Sequence, residues 1–139
     1  MNVASLTRRL WLALVTPLLV LVVGACSEDP AAPLAPFEPQ INNIQDSFEF
    51  QATGVTNVTW TFEYTWANSG TAANVNQATT VTAGAATLTL LDAAGTQVYT
   101  QSLSANGTFP TTVGPTGNWR VRVVFTNYSG TVNFRAEKS

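Results

Sequence analysis

Hydrolysis of a glycosidic bond needs only two carboxylates, and Glu49 and Glu63 supply a pair that a hairpin spanning residues 47–66 would set diagonally on one outer sheet face. The competing reading is two solvated strand charges paired with arginines of a neighbouring strand. That is the ordinary state of exposed carboxylates, and we take it. Little other chemistry is on offer. The chain has no histidine and a single cysteine, Cys26, which removes a histidine base, a Ser-His-Asp triad, a disulfide framework and a His/Cys zinc site. Asp92 and the Asn-rich turns carry oxygens, yet no Asp-x-Asp spacing gathers the six or more ligands that calcium takes. No catalytic residue, metal or cofactor is expected, and the protein is read as a non-enzyme. The remaining candidates are aromatic. Trp66 at a strand end, Tyr99 on an outer strand face and Tyr128 at a loop tip are the expected ligand contacts, since a flat ring can stack on a sugar.

These residues belong to strands. From Asn57 to Trp66 the apolar period is two, with Val58, Trp60, Phe62, Tyr64 and Trp66 on one face and Asn57, Thr59, Thr61, Glu63 and Thr65 on the other. Phe48 and Phe50 alternate in the same way. A hairpin loop over Thr53 to Asn57 would place Phe48 opposite Phe62 and Phe50 opposite Trp60. A second hairpin turns at Asp92-Ala93-Ala94-Gly95, a type I turn closed by a left-handed glycine. Pairing Asp92 with Thr96 sets Leu90 beside Val98 and Leu88 beside Thr100, and turns Tyr99 outward. A third hairpin is expected at Asn127-Tyr128-Ser129-Gly130, joining the Trp119, Val121, Val123, Phe125 face to Val132, Phe134 and Ala136. Two weaker strands fall within Thr71 to Ala83 and Thr108 to Val113. Seven or eight short strands with turns between them predict an all-β, antiparallel two-layer β-sandwich of jelly-roll or immunoglobulin-like type, residues 47–139.

Composition agrees with one such domain: 139 residues, 45% apolar and 10% charged. A net charge of −2 speaks against a nucleic-acid partner. The segment ahead of the domain, residues 26–46, carries prolines at 30, 33, 36 and 39, at intervals of three. That spacing suits a polyproline II rod, and the 20 residues after Cys26 could reach about 60 Å if fully extended. It reads as a linker, although Phe37, Ile41 and Ile44 are apolar enough to pack back on the domain.

Residues 1–25 read as an export signal. Arg8 and Arg9 precede an apolar run, Leu10 to Val23, that is too short for the roughly 30 Å hydrocarbon core and is interrupted by Pro17. Val23-Gly24-Ala25-Cys26 then resembles the lipobox of bacterial lipoproteins. The resemblance implies cleavage before Cys26, acyl chains on Cys26 as the membrane partner, and anchorage to the bacterial outer membrane on its periplasmic face or at the cell surface; two or three chains hold stably where one does not. Gly117-Asn118-Trp119-Arg120-Val121-Arg122-Val123, followed by Ser129-Gly130 and a closing strand, resembles the last hairpin of jelly-roll modules of the proprotein-convertase P-domain kind. The function expected from the whole is a membrane-anchored, non-catalytic sandwich that binds a protein partner in adhesion or envelope assembly. A carbohydrate-binding module with a glycan ligand is the alternative, and a glycan-acting enzyme the third reading.

Overall fold

The computed structural model describes residues 32–139; the leader, Cys26 and Pro30 lie outside the described residues. The chain adopts the all-β sandwich fold that its period-two patterning predicts. Seven antiparallel strands are hydrogen-bonded into one sheet: β1 (Gln40–Ile44), β2 (Ser47–Asn68), β3 (Ala73–Gln77), β4 (Thr80–Leu91), β5 (Gln97–Ser102), β6 (Gly107–Pro110) and β7 (Gly117–Lys138). The sheet doubles over on itself. β2 and β7, 22 residues each, pair along their whole length from Ser47 with Glu137 to Asn68 with Gly117, and so belong to both layers. The first layer runs β1-β2-β7-β3-β6 and the second β2-β7-β4-β5. Strands that change layer at a bend or bulge are the usual way a sandwich makes a corner.

The hairpins expected at Thr53–Asn57 and Asn127–Gly130 therefore do not form. Each is a bend inside a continuous strand. The inward faces are nonetheless as expected, with Phe48, Phe50, Phe62, Trp66, Trp119, Val121, Val123, Phe125, Val132, Phe134 and Ala136 all buried. What changes is the partner: Phe48 meets Tyr64 at 5.4 Å between ring centroids, and Phe50 meets Phe62 at 6.3 Å, across the core and not side by side. Trp60 has core parity but sits at the bend and is 45% exposed.

Three neighbouring strands bend along one line. β2 turns at Gly54 and Asn57, β7 at Asn127 and Gly130, and β4 at Gly84, all with positive φ. Val55 lies opposite Gly130, and Ala83 opposite Ser129, so the bends are in register across the sheet. Polar side chains replace the missing ladder: the Asn57 amide donates to Ser129 Oγ at 2.9 Å, and the Asn127 amide to Thr59 Oγ1 at 2.8 Å. The strands also come too close there for a side chain. A Cβ at Gly84 would collide with the Asn127 carbonyl, and one at Gly130 with the Thr80 carbonyl.

The Asp92 hairpin forms with the expected turn. Asp92 N–H donates to Thr96 O at 2.8 Å, Gly95 takes φ 83°, and Asp92 Oδ1 accepts from the amides of Ala94 and Thr96 at 2.9 Å each. Past Leu91 and Gln97 the register slips by one, so that Leu90 pairs with Tyr99 and Thr89 with Thr100. One extra residue at Val98 reverses the faces beyond it, because side chains alternate with period two.

The domain also starts earlier than residue 47. Residues Ala32–Phe37 form a 3₁₀ helix that buries Leu34 completely, and β1 adds to the edge of β2. Phe37 and Ile41 pack on the core, whereas Ile44 stays 57% exposed. Pro33 and Pro36 thus lie in a docked helix, not in a rod. Fully burying a leucine is worth about 2 kcal/mol, which an extended spacer would forgo.

Candidate binding site

The three aromatic residues singled out as ligand contacts are all in the core. Trp66 packs edge-on against Trp119, with centroids 5.9 Å apart at 84°. Tyr99 is turned inward by the Val98 bulge, and its hydroxyl donates to Gln77 Oε1 at 2.9 Å. Gln77 in turn donates to the carbonyls of Ser102 at 3.0 Å and Ala105 at 2.7 Å, which ties β3 to the far side of the sandwich. Tyr128 stands at a bend and not at a loop tip: Asn127 at φ 46° swings its ring into the core, stacked on Phe125 at 4.5 Å. Burial pushes the phenols of Tyr99 and Tyr128 up to about 12. None of the three presents a ring to solvent.

The two carboxylates are separated as well. Glu49 is on the outer face of the first layer, 2.9 Å from Arg135 Nε, and Glu63 is on the outer face of the second, 2.9 Å from Arg122 Nε and 3.3 Å from Arg120 Nη1. All three arginines come from β7, as the solvated ion-pair reading requires. The hydrogen bond from Arg122 holds the Glu63 carboxyl below its ordinary value against a smaller opposing effect of burial. Asp46, at the tight β1–β2 turn, is held low by Lys138 Nζ at 2.8 Å and by the Ser69 amide at 2.7 Å. Among the described residues no group of three or more His, Cys, Asp or Glu could hold a metal ion.

A different surface gathers polar groups. Strand pairing in the first layer aligns Asn42, Glu49, Arg135, Asn76 and Thr108 in one outward row across β1, β2, β7, β3 and β6. Gln40, Gln51 and Asn133 form a second row beside it. Two grooves of about 530 and 570 Å³ lie on this face, and both are lined by Asn133 and Arg135. Arg135 is pinned between Glu49 and Glu137, the latter at 3.4 Å. Asn76 Nδ2 donates to Thr108 Oγ1 at 2.8 Å, while the side chains of Asn42, Gln51, Asn74 and Asn133 make no hydrogen bond within the described residues. The pattern is visible in the sequence as amides and charges at alternate positions, Gln40 and Asn42, Glu49 and Gln51, Asn74 and Asn76, Asn133 and Arg135. Attention to rings and acids passes over it, since each pair alone looks like ordinary solvent-facing strand.

The sequence matches no protein-family model, and no curated protein is similar enough to align with it.

Proposed function

We propose that this chain is a bacterial lipoprotein whose β-sandwich is a non-catalytic interaction module, held at the outer membrane by acyl chains on Cys26. One observation carries the non-catalytic part. Each acid from Asp46 onward is engaged by a base or by backbone amides: Asp46 by Lys138, Glu49 and Glu137 by Arg135, Glu63 by Arg120 and Arg122, and Asp92 by its own turn. Such contacts are what surface carboxylates and turn aspartates ordinarily make, and Glu49 and Glu63 stand on the outer faces of different layers, so they do not form the two-carboxylate pair that glycoside hydrolysis needs. The anchor rests on the lipobox-like Val23-Gly24-Ala25-Cys26.

The early start of the fold makes such an anchor a short one. Only residues 27–31 separate Cys26 from the 3₁₀ helix, a reach of at most about 20 Å whatever their conformation. The module would work close to the membrane surface. Mass spectrometry of the membrane fraction tests the proposal: the expected mature chain begins at an acylated Cys26, and an intact Met1 terminus or an unmodified thiol overturns it.

A further inference from the structure

We infer that the outer face of the first layer is a binding site for a neutral, hydroxyl-rich chain, a glycan strand lying across the five strands. This rests on the interaction-module reading and names the ligand class for it. The row from Asn42 to Thr108 crosses four strand spacings, about 19 Å at roughly 4.8 Å each, long enough to contact several sugar units in succession. Each unengaged amide offers both donors and acceptors, and a sugar hydroxyl likewise donates and accepts, so the two surfaces satisfy one another without leaving a group unpaired.

Other ligand classes fit the face less well. Its charges are Glu49, Glu137 and Arg135, a net of −1, and the one cation is already paired on both sides. Nucleic acid and other polyanions need unpaired positive charge. A polypeptide partner draws most of its binding energy from aromatic and aliphatic anchors in an apolar centre. Here the row is polar throughout; of the large exposed apolar residues, Ile44 alone shares this face, at the end of β1 two residues beyond Asn42, while Trp60 lies at the β2 bend and Val113 in the β6–β7 connection, too few to make an apolar centre. Without a ring to stack on, affinity is built from hydrogen bonds alone and is modest.

The test uses the full chain in detergent micelles, titrated with neutral hexasaccharides of glucan, mannan, xylan and galactan type. At least one should bind. Asn42→Ala and Asn76→Ala, at opposite ends of the row, should each weaken binding about fivefold, the loss of one hydrogen bond of about 1 kcal/mol. Thr89→Ala, on the outer face of the second layer, should leave binding unchanged, and all three variants should stay folded and melt within a few degrees of the parent, since Asn76→Ala and Thr89→Ala each give up one exposed hydrogen bond. Binding unaffected in the Asn42→Ala, Asn76→Ala double variant overturns the site, and so does failure of all four sugars. Capture of a polypeptide on this face with no sugar bound overturns the ligand class while the interaction-module reading stands. Sugar binding through this face by a chain with no acyl group on Cys26 supports the site and defeats the lipoprotein.

Discussion

Phe50 and Phe62 lie twelve residues apart on the same strand, yet their ring centroids are 6.3 Å from each other. Twelve residues of straight strand would separate them by about 40 Å. The strand must double back between them, and β7 does the same beside it, where Phe125 and Val132 flank the Asn127 and Gly130 bend. The core is thus closed by two strands folded over their own length, and the backbone at the fold line becomes the most demanding part of the structure.

The glycines on that line should differ sharply in tolerance. Gly54, Gly84 and Gly130 all have positive φ, which costs an alanine about 1 kcal/mol or somewhat more. Gly54 has open space around it, so Gly54→Ala should cost about that and no more. Gly84→Ala and Gly130→Ala add a collision with a backbone carbonyl of the adjoining strand, and each should lose several kcal/mol or fail to fold. Equilibrium urea unfolding of the three variants gives the ranking; equal losses would show that the strands do not approach as described.

Period two was enough to sort inward from outward along the straight parts of β2 and β7, because each residue's face there depends only on its neighbours, but it failed at the bends, where Trp60 is exposed and Tyr128 buried. It could not tell a hairpin from a folded-over strand. Both bring Phe50 near Phe62, and both require turn-forming residues such as Gly54 and Asn57 in between. Tyr99 shows the other limit: the Asp92 turn was legible residue by residue, but a single bulge at Val98 reversed the strand beyond it. The polar face was illegible for a related reason. Its members are spread over five strands, and beyond the local β1–β2 hairpin only the long-range pairing of β2 with β7, β7 with β3, and β3 with β6 brings them into a row.

Leu34 tests where the domain begins. Its side chain is fully buried from a segment whose prolines suggest a spacer. Leu34→Ala should cost about 2–4 kcal/mol, as for other leucines removed from a core, whereas Ile44→Ala at the end of β1 should stay within about 0.5 kcal/mol. Thermal or urea unfolding distinguishes them. A neutral Leu34→Ala would return residues 32–37 to the tether and lengthen its reach accordingly.

The two core tryptophans are matched in burial and differ in one hydrogen bond. Trp119 Nε1 donates to Pro115 O at 2.8 Å, and Trp66 Nε1 is buried with no partner among the described residues. Trp119→Phe therefore removes a satisfied donor, while Trp66→Phe removes an unsatisfied one. Both leave a similar void. Trp119→Phe should be the more destabilising by about 1–2 kcal/mol, and equal losses would mean that Trp66 has found an acceptor.

Tyr99 and Tyr128 predict the alkaline limit of the fold. Burial raises both phenols from 10.0 to about 12, so the folded state keeps protons that the unfolded state releases. By linkage their contribution to stability is complete below pH 10 and is lost as pH climbs from 10 towards 12. Melting temperature should fall steeply across that window, and the phenolate absorbance of these residues should rise late, together with unfolding. Tyr99→Phe should soften the fall, though it also strips Gln77 Oε1 of its donor and lowers stability at neutral pH. If Tyr99 and Tyr128 ionised near pH 10 in the folded protein, their rings would be at the surface, and the aromatic-stacking account of sugar binding would return in place of the amide row.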